Sequence, residues 1–156
     1  MKRNVKGFTL IELIVVIAII AALAAILVPS IMGYIKHARA TRLNSNARSV
    51  YSAAQLAIVD VNVAQGTVDA NCIYRGGNDG IAYPDSGGKE FTLINYLGDS
   101  YNGNFVFMTN AEGSGCVYAL WSEDSIPASG SAQMTLDEVK ATVNTRPAIG
   151  CHPLAA

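Results

Sequence analysis

The chain has 156 residues, half of them apolar, and a formal net charge of −1. That length is enough for one domain plus a membrane segment, and a near-neutral balance by itself names no partner. The charge is unevenly spread. Lys2, Arg3 and Lys6 precede an apolar run, Lys36, Arg39, Arg42 and Arg48 follow it, and beyond Ser49 four basic residues stand against eleven acidic ones.

The first predicted element is a helix able to span a membrane. Leu13 to Ile35 is 23 residues without a charge. That is ~34 Å of helix against a bilayer core of ~30 Å. Just before it, Lys6-Gly7-Phe8-Thr9-Leu10-Ile11-Glu12 places one carboxylate at the edge of a segment suited to hydrocarbon. A charge there is costly unless it finds a partner. A basic start and an apolar core have the outline of a secretory signal. The run is longer than the ~7–15 residues of such a core, and no small-x-small cleavage site follows it. The basic stretch from Lys36 to Arg48 suits attraction to lipid headgroups. With both flanks basic, charge alone does not set the orientation of the span.

Lys6-Gly7-Phe8-Thr9-Leu10-Ile11-Glu12-Leu13 resembles the class III signal of type IV prepilins and pseudopilins. The resemblance covers the N-terminal third of the chain. It implies that residues 1–7 form a leader, cut between Gly7 and Phe8 by a prepilin peptidase that also methylates the new Phe8 amine. It further implies that residues 8–35 serve first as an anchor, N-terminus in the cytoplasm, and then as the core of an extracellular filament. Thr9, Glu12 and Pro29 belong to that assembly segment. The chemistry agrees. Gly7 has no side chain to obstruct a protease. The freed Phe8 amine is largely cationic at neutral pH. Glu12 lies four residues on, on the same helical face. The amine of one chain meets Glu12 of the next more readily than its own. Losing one partner of such a buried pair costs ~3–5 kcal/mol, which makes Glu12 a register device for stacked helices.

Pro29 removes one helical hydrogen bond, so a kink or local melting is predicted near Leu23–Pro29. Beyond it Leu43, Ala47, Val50, Tyr51, Ala54, Ile58 and Val61 fall at helical spacing and predict an amphipathic spine over 36–66, stopped at Gly66. The whole helix would measure ~80 Å if straight.

Residues 67–156 read as a globular head. Asn71 to Glu90, with five glycines and Pro84, reads as a surface loop without the spacing of a phosphate cradle. Phe91, Ile94 and Leu97 predict a short helix ended by Gly98. Asn104–Thr109 and Cys116–Trp121 predict a hairpin across the turn 110–115. Thr135-Leu-Asp-Glu138 has capping-box form and predicts a helix start. Ala148–Pro153 predicts an edge strand limited by Pro147 and Pro153. The expected fold is α+β, a long N-terminal helix packed on a small antiparallel sheet.

No catalytic site is expected. His37 and His152 have no ligand spacing, and no nucleophile comes with a base and an orienting acid. Glu123 and Asp124 supply too few oxygens for calcium, which takes about 6–8. No metal or cofactor is predicted. Three cysteines leave at least one unpaired. The resemblance implies a disulfide between Cys116 and Cys151; Cys72 pairing with either, or no bridge, are the alternatives.

The expected function is a structural subunit of a homopolymeric type IV pilus, the major pilin. The alternative is a pseudopilin of a type II secretion or DNA-uptake machine. Implied partners are copies of the same chain, the peptidase-methylase, an inner-membrane assembly platform with its motor, and membrane lipid before assembly. A plain membrane-anchored binding module is a competing reading. A specific nucleic-acid site is not expected, because the segment from Lys36 to Arg48 lacks interleaved aromatics.

Overall fold

The structure is a computed structural model in which residues 8–85, 87–98, 101–126 and 149–153 are described. The chain divides into two compact units, Met1–Ala38 and Arg39–Ala156. Helix α1 spans Leu10–Val63.

In the first unit every apolar side chain around α1 from Leu10 to Ile35 is exposed or nearly so. A helix apolar on all sides has no inner face to bury, and this one is long and apolar enough to cross a membrane. Pro29 lies inside α1, which stays helical through it, so the predicted melting does not occur in the single chain. Ala21-Ala22-Leu23-Ala24-Ala25 consists of strong helix formers, and they hold the turn that Pro29 weakens.

In the second unit α1 buries one stripe: Leu43, Ala47, Val50, Ala53, Ala54, Ala57 and Ile58. Tyr51 and Val61 flank it, partly buried. The alanines keep the stripe flat, and Leu43, Val50 and Ile58 each contribute about 1.5–3 kcal/mol by leaving water. The predicted spine therefore stands, with two further alanines in its core face. Its stop differs in detail. The N–H of Gly66 donates to Val61 O at 2.9 Å and that of Gln65 to Asn62 O at 3.1 Å. Gln65, not a glycine, takes the left-handed conformation, with φ 58°. This is a Schellman ending. Gly66 is required one residue later, where a Cβ would sit 2.7 Å from Val61 Cγ1.

The stripe packs on a six-stranded sheet of order β3-β2-β1-β4-β5-β6, antiparallel throughout. The strands are β1 Ile73–Gly76, β2 Ile81–Pro84, β3 Phe91–Thr92, β4 Asn104–Thr109, β5 Cys116–Ser122 and β6 Ile149–His152. Period-two alternation sends Tyr74, Ala82, Phe105, Phe107, Ala119 and Trp121 to the α1 side. It sends Ile73, Val106, Tyr118, Leu120 and Cys151 to the other face, where a second cluster forms. Beneath α1, Tyr74 stacks on Phe107 at 5.0 Å between ring centroids, and Phe91 meets Tyr74 edge-on at 4.8 Å.

The predicted hairpin is β4–β5, and the predicted C-terminal edge strand is β6. Two expectations fail. Asn71 to Glu90 is not a loop, because it contains β1 and β2. Each strand is four residues long and ends in a residue typical of turns, Gly76 and Pro84, so the glycine-rich link between them dominates the composition. Phe91 is not helical but lies in β3; the helix α2 covers only Ile94–Leu97, with Gly98 after it at φ 85°. The predicted helix start at Thr135–Glu138 lies outside the described residues.

Candidate functional site

The N-terminal end of α1 carries the chemistry. Thr9 precedes the first helical residue, and its carbonyl accepts the N–H of Leu13 at 3.3 Å. Its side chain and that of Glu12 close on each other. The Thr9 N–H donates to Glu12 Oε2 at 2.8 Å, and the Thr9 hydroxyl donates to the same oxygen at 2.7 Å. In return the Glu12 N–H donates to Thr9 Oγ1 at 3.3 Å. This is a reciprocal capping box of the form T-x-x-E. It satisfies two backbone donors that a helix start leaves open. It also places a negative charge at the positive end of the helix dipole.

The box was readable in the sequence as Thr9-Leu10-Ile11-Glu12, yet the spacing from Phe8 to Glu12 draws attention first. Glu12 thus has a partner inside its own chain. Among the described residues only Oε2 is engaged, so Oε1 can take a cation from outside. Phe8 is 90% exposed. Gly7 and the leader lie outside the described residues. Of the predicted assembly residues, Thr9 and Glu12 come together, while Pro29 stands apart, exposed on the same helix.

The second unit separates two residues that the resemblance paired. Cys116 carries a buried free thiol on the α1 side of the sheet, whereas Cys151 lies on the opposite face. In register Cys151 faces Leu120, four residues along β5 from Cys116. At ~3.3 Å per residue that is ~13 Å. A disulfide needs Cα atoms within about 7 Å, so the Cys116–Cys151 bridge does not form. The Cys116 thiol instead donates to Tyr118 O at 3.2 Å, and its N–H donates to Gln55 Oε1 on α1 at 2.8 Å. Burial pushes the thiol up to about 12.

Part of the basic stretch is also committed. Arg42 pairs with Glu123, and Arg39 Nη2 lies 3.8 Å from the same carboxylate. Glu123, weighed above as a calcium ligand, is thereby a counter-ion for the spine helix. The groups are half exposed, so the pairs are worth at most about 1 kcal/mol.

Residues 2–28 match the family model described as the prokaryotic N-terminal methylation motif. No curated protein matches the chain, and no solved structure does. The matched segment contains the whole Thr9–Glu12 box and most of the exposed apolar helix. At its N-terminus, therefore, the chain carries the class III signal segment of type IV pilins and pseudopilins.

Proposed function

We propose that the chain is the structural subunit, the major pilin, of an extracellular type IV pilus. The observation that carries this reading is Glu12, placed by Thr9 at the tip of a helix that is apolar on every side. In a simple anchor the carboxylate does no more than cap the helix. In a helix that must stack in register on its neighbours it also fixes the axial position, because a buried ion pair tolerates little axial slip. In this reading the leader is removed after Gly7 and the Phe8 amine is methylated. The helix waits in lipid, and a separate motor then extracts it into the filament. Helix-to-helix contacts replace lipid around residues 8–35. The Phe8 amine of one subunit approaches the open Oε1 of Glu12 on the next.

The intact mass of the protein purified from its host tests processing. Loss of Met1 to Gly7 with one added methyl group is expected, and an unprocessed Met1 without any filament would sink the proposal. Imaging of the cell surface then separates a long pilus from the short assembly of a pseudopilin.

A further inference from the structure

A small cavity sits where α1, α2 and the end of β5 meet. Its volume is about 240 Å³, and Asn46, Ser49, Leu97, Tyr101, Asn102 and Trp121 line it. Three of these are neutral hydrogen-bonding side chains and two are aromatic rings. None of the described lining residues is charged. The Asn46 and Asn102 amides have no hydrogen-bond partner among the described residues. Ser49 donates to Ser45 O at 3.2 Å and keeps acceptor capacity.

Trp121 is 3% exposed, and its indole N–H and the Tyr101 hydroxyl, both shielded from solvent, lie within reach of each other but make no well-formed hydrogen bond among the described residues. A buried polar group left without a well-formed bond costs about 1–3 kcal/mol. Gly103 closes the back of the indole, where a Cβ would stand 2.5 Å from Trp121 Nε1. The ring is therefore held in place rather than free to turn its N–H to water.

We infer that this cavity binds a single neutral sugar ring. A pyranose has an apolar face that packs against aromatic rings, and a rim of hydroxyls that donate to amide oxygens and accept from N–H groups. The Asn46 and Asn102 amides meet that rim. The Tyr101 hydroxyl and the Trp121 N–H, which make no well-formed bond to each other, each meet a ring hydroxyl. The described lining, which is neutral, disfavours a phosphate or a carboxylate, and the volume disfavours anything much larger than one ring. The inference does not depend on filament assembly and concerns the unassembled chain equally.

Trp121 is the chain's single tryptophan, so its fluorescence reports on this cavity alone. The full-length chain is held in an amine-oxide detergent, which has no sugar headgroup, and titrated with glucose, galactose and N-acetylglucosamine. Uridine serves as a flat, uncharged comparison. A saturable emission change is expected for at least one sugar. Tyr101→Phe and Asn46→Ala should each weaken it about tenfold, the effect of one lost hydrogen bond to a buried group. Retention of the thermal unfolding midpoint shows that each variant is folded. No saturable change with any of the three sugars means that the cavity holds water only and overturns the inference. A response to uridine alone, or unchanged affinity in both variants, overturns it as well.

Discussion

The Asn44 side chain on α1 accepts the backbone N–H of Cys151 on β6 at 3.1 Å, joining positions 107 residues apart. This bond ties β6 to the spine helix, next to a close approach of the two backbones at Gly150 and Leu43. Asn44→Ala removes this part-buried bond and should destabilise the second unit by about 1 kcal/mol. Thermal unfolding of the full-length chain in detergent, followed by circular dichroism, measures it. A midpoint unchanged within error would show that the bond is replaced by water.

The closeness of those backbones depends on Gly150. A Cβ at that position would lie 1.9 Å from Leu43 O and 2.2 Å from its carbon. Both are main-chain atoms of a helix and cannot swing aside. Gly150→Ala should therefore cost about 3 kcal/mol, at the upper end of overpacking penalties, and more than Asn44→Ala. A smaller loss from Gly150→Ala than from Asn44→Ala would mean that β6 is free to retreat.

Charge and capping at Glu12 can be separated. Glutamine serves the capping box as well as glutamate, but it carries no charge. Glu12→Gln should leave helix content and leader removal intact while incorporation beside wild-type subunits falls sharply. Thr9→Ala should do the reverse, lowering local helix stability by about 1 kcal/mol and keeping the carboxylate. Quantifying each variant in sheared filaments against the membrane pool decides the matter. Equal incorporation of Glu12→Gln and wild type would remove the charge from any role in assembly.

Cys116 should resist alkylation. Its thiol is buried and pushed up to about 12, so almost no thiolate exists at neutral pH. Peptide mapping after brief native treatment with iodoacetamide is expected to show Cys116 unmodified, and non-reduced digests should contain no peptide linking Cys116 to Cys151. Recovery of that linked peptide would contradict the register of β5 and β6.

Acid should weaken the second unit through His152. The imidazole packs edge-on against Tyr51 at 4.9 Å. Burial, then the charge of Arg48, pulls its pKa below the ordinary 6.5. A folded value below the unfolded one means that the unfolded chain binds the proton first. Stability is then full above about pH 6.5 and declines as pH falls below it. Melting midpoints between pH 7.5 and 5.5 should drop, and His152→Gln should reduce the slope. An identical slope in the variant would assign the effect to carboxylates.

The N-terminal motif, the apolar helix and the spine stripe were legible because their signals are local and periodic. The β4–β5 hairpin was legible because aromatic and β-branched residues bracket a compact turn. β1 and β2 were not, since strands of four residues leave too little pattern against the glycines between them. Phe91 sits at helical spacing from Ile94 and Leu97, yet pairing with Ala82 overrides that rhythm. The cysteine pairing failed for a different reason: which face a residue takes depends on strand register, and no spacing along the chain reveals it. The Asn44–Cys151 bond and the sugar-sized cavity arise from contacts between distant segments and were equally invisible.

The Thr9–Glu12 box also decides where the chain stops being a helix. Phe8 and Thr9 are non-helical, and α1 begins at Leu10. Proteolysis requires backbone that can extend into an active-site cleft, and a helical turn would have to unwind first. If the leader is removed before Phe8 as proposed, the start of the helix at Leu10 would leave Phe8 and Thr9 non-helical for the peptidase. The carboxylate proposed to align neighbouring subunits would thereby act earlier as well, in making each subunit easy to release from its leader.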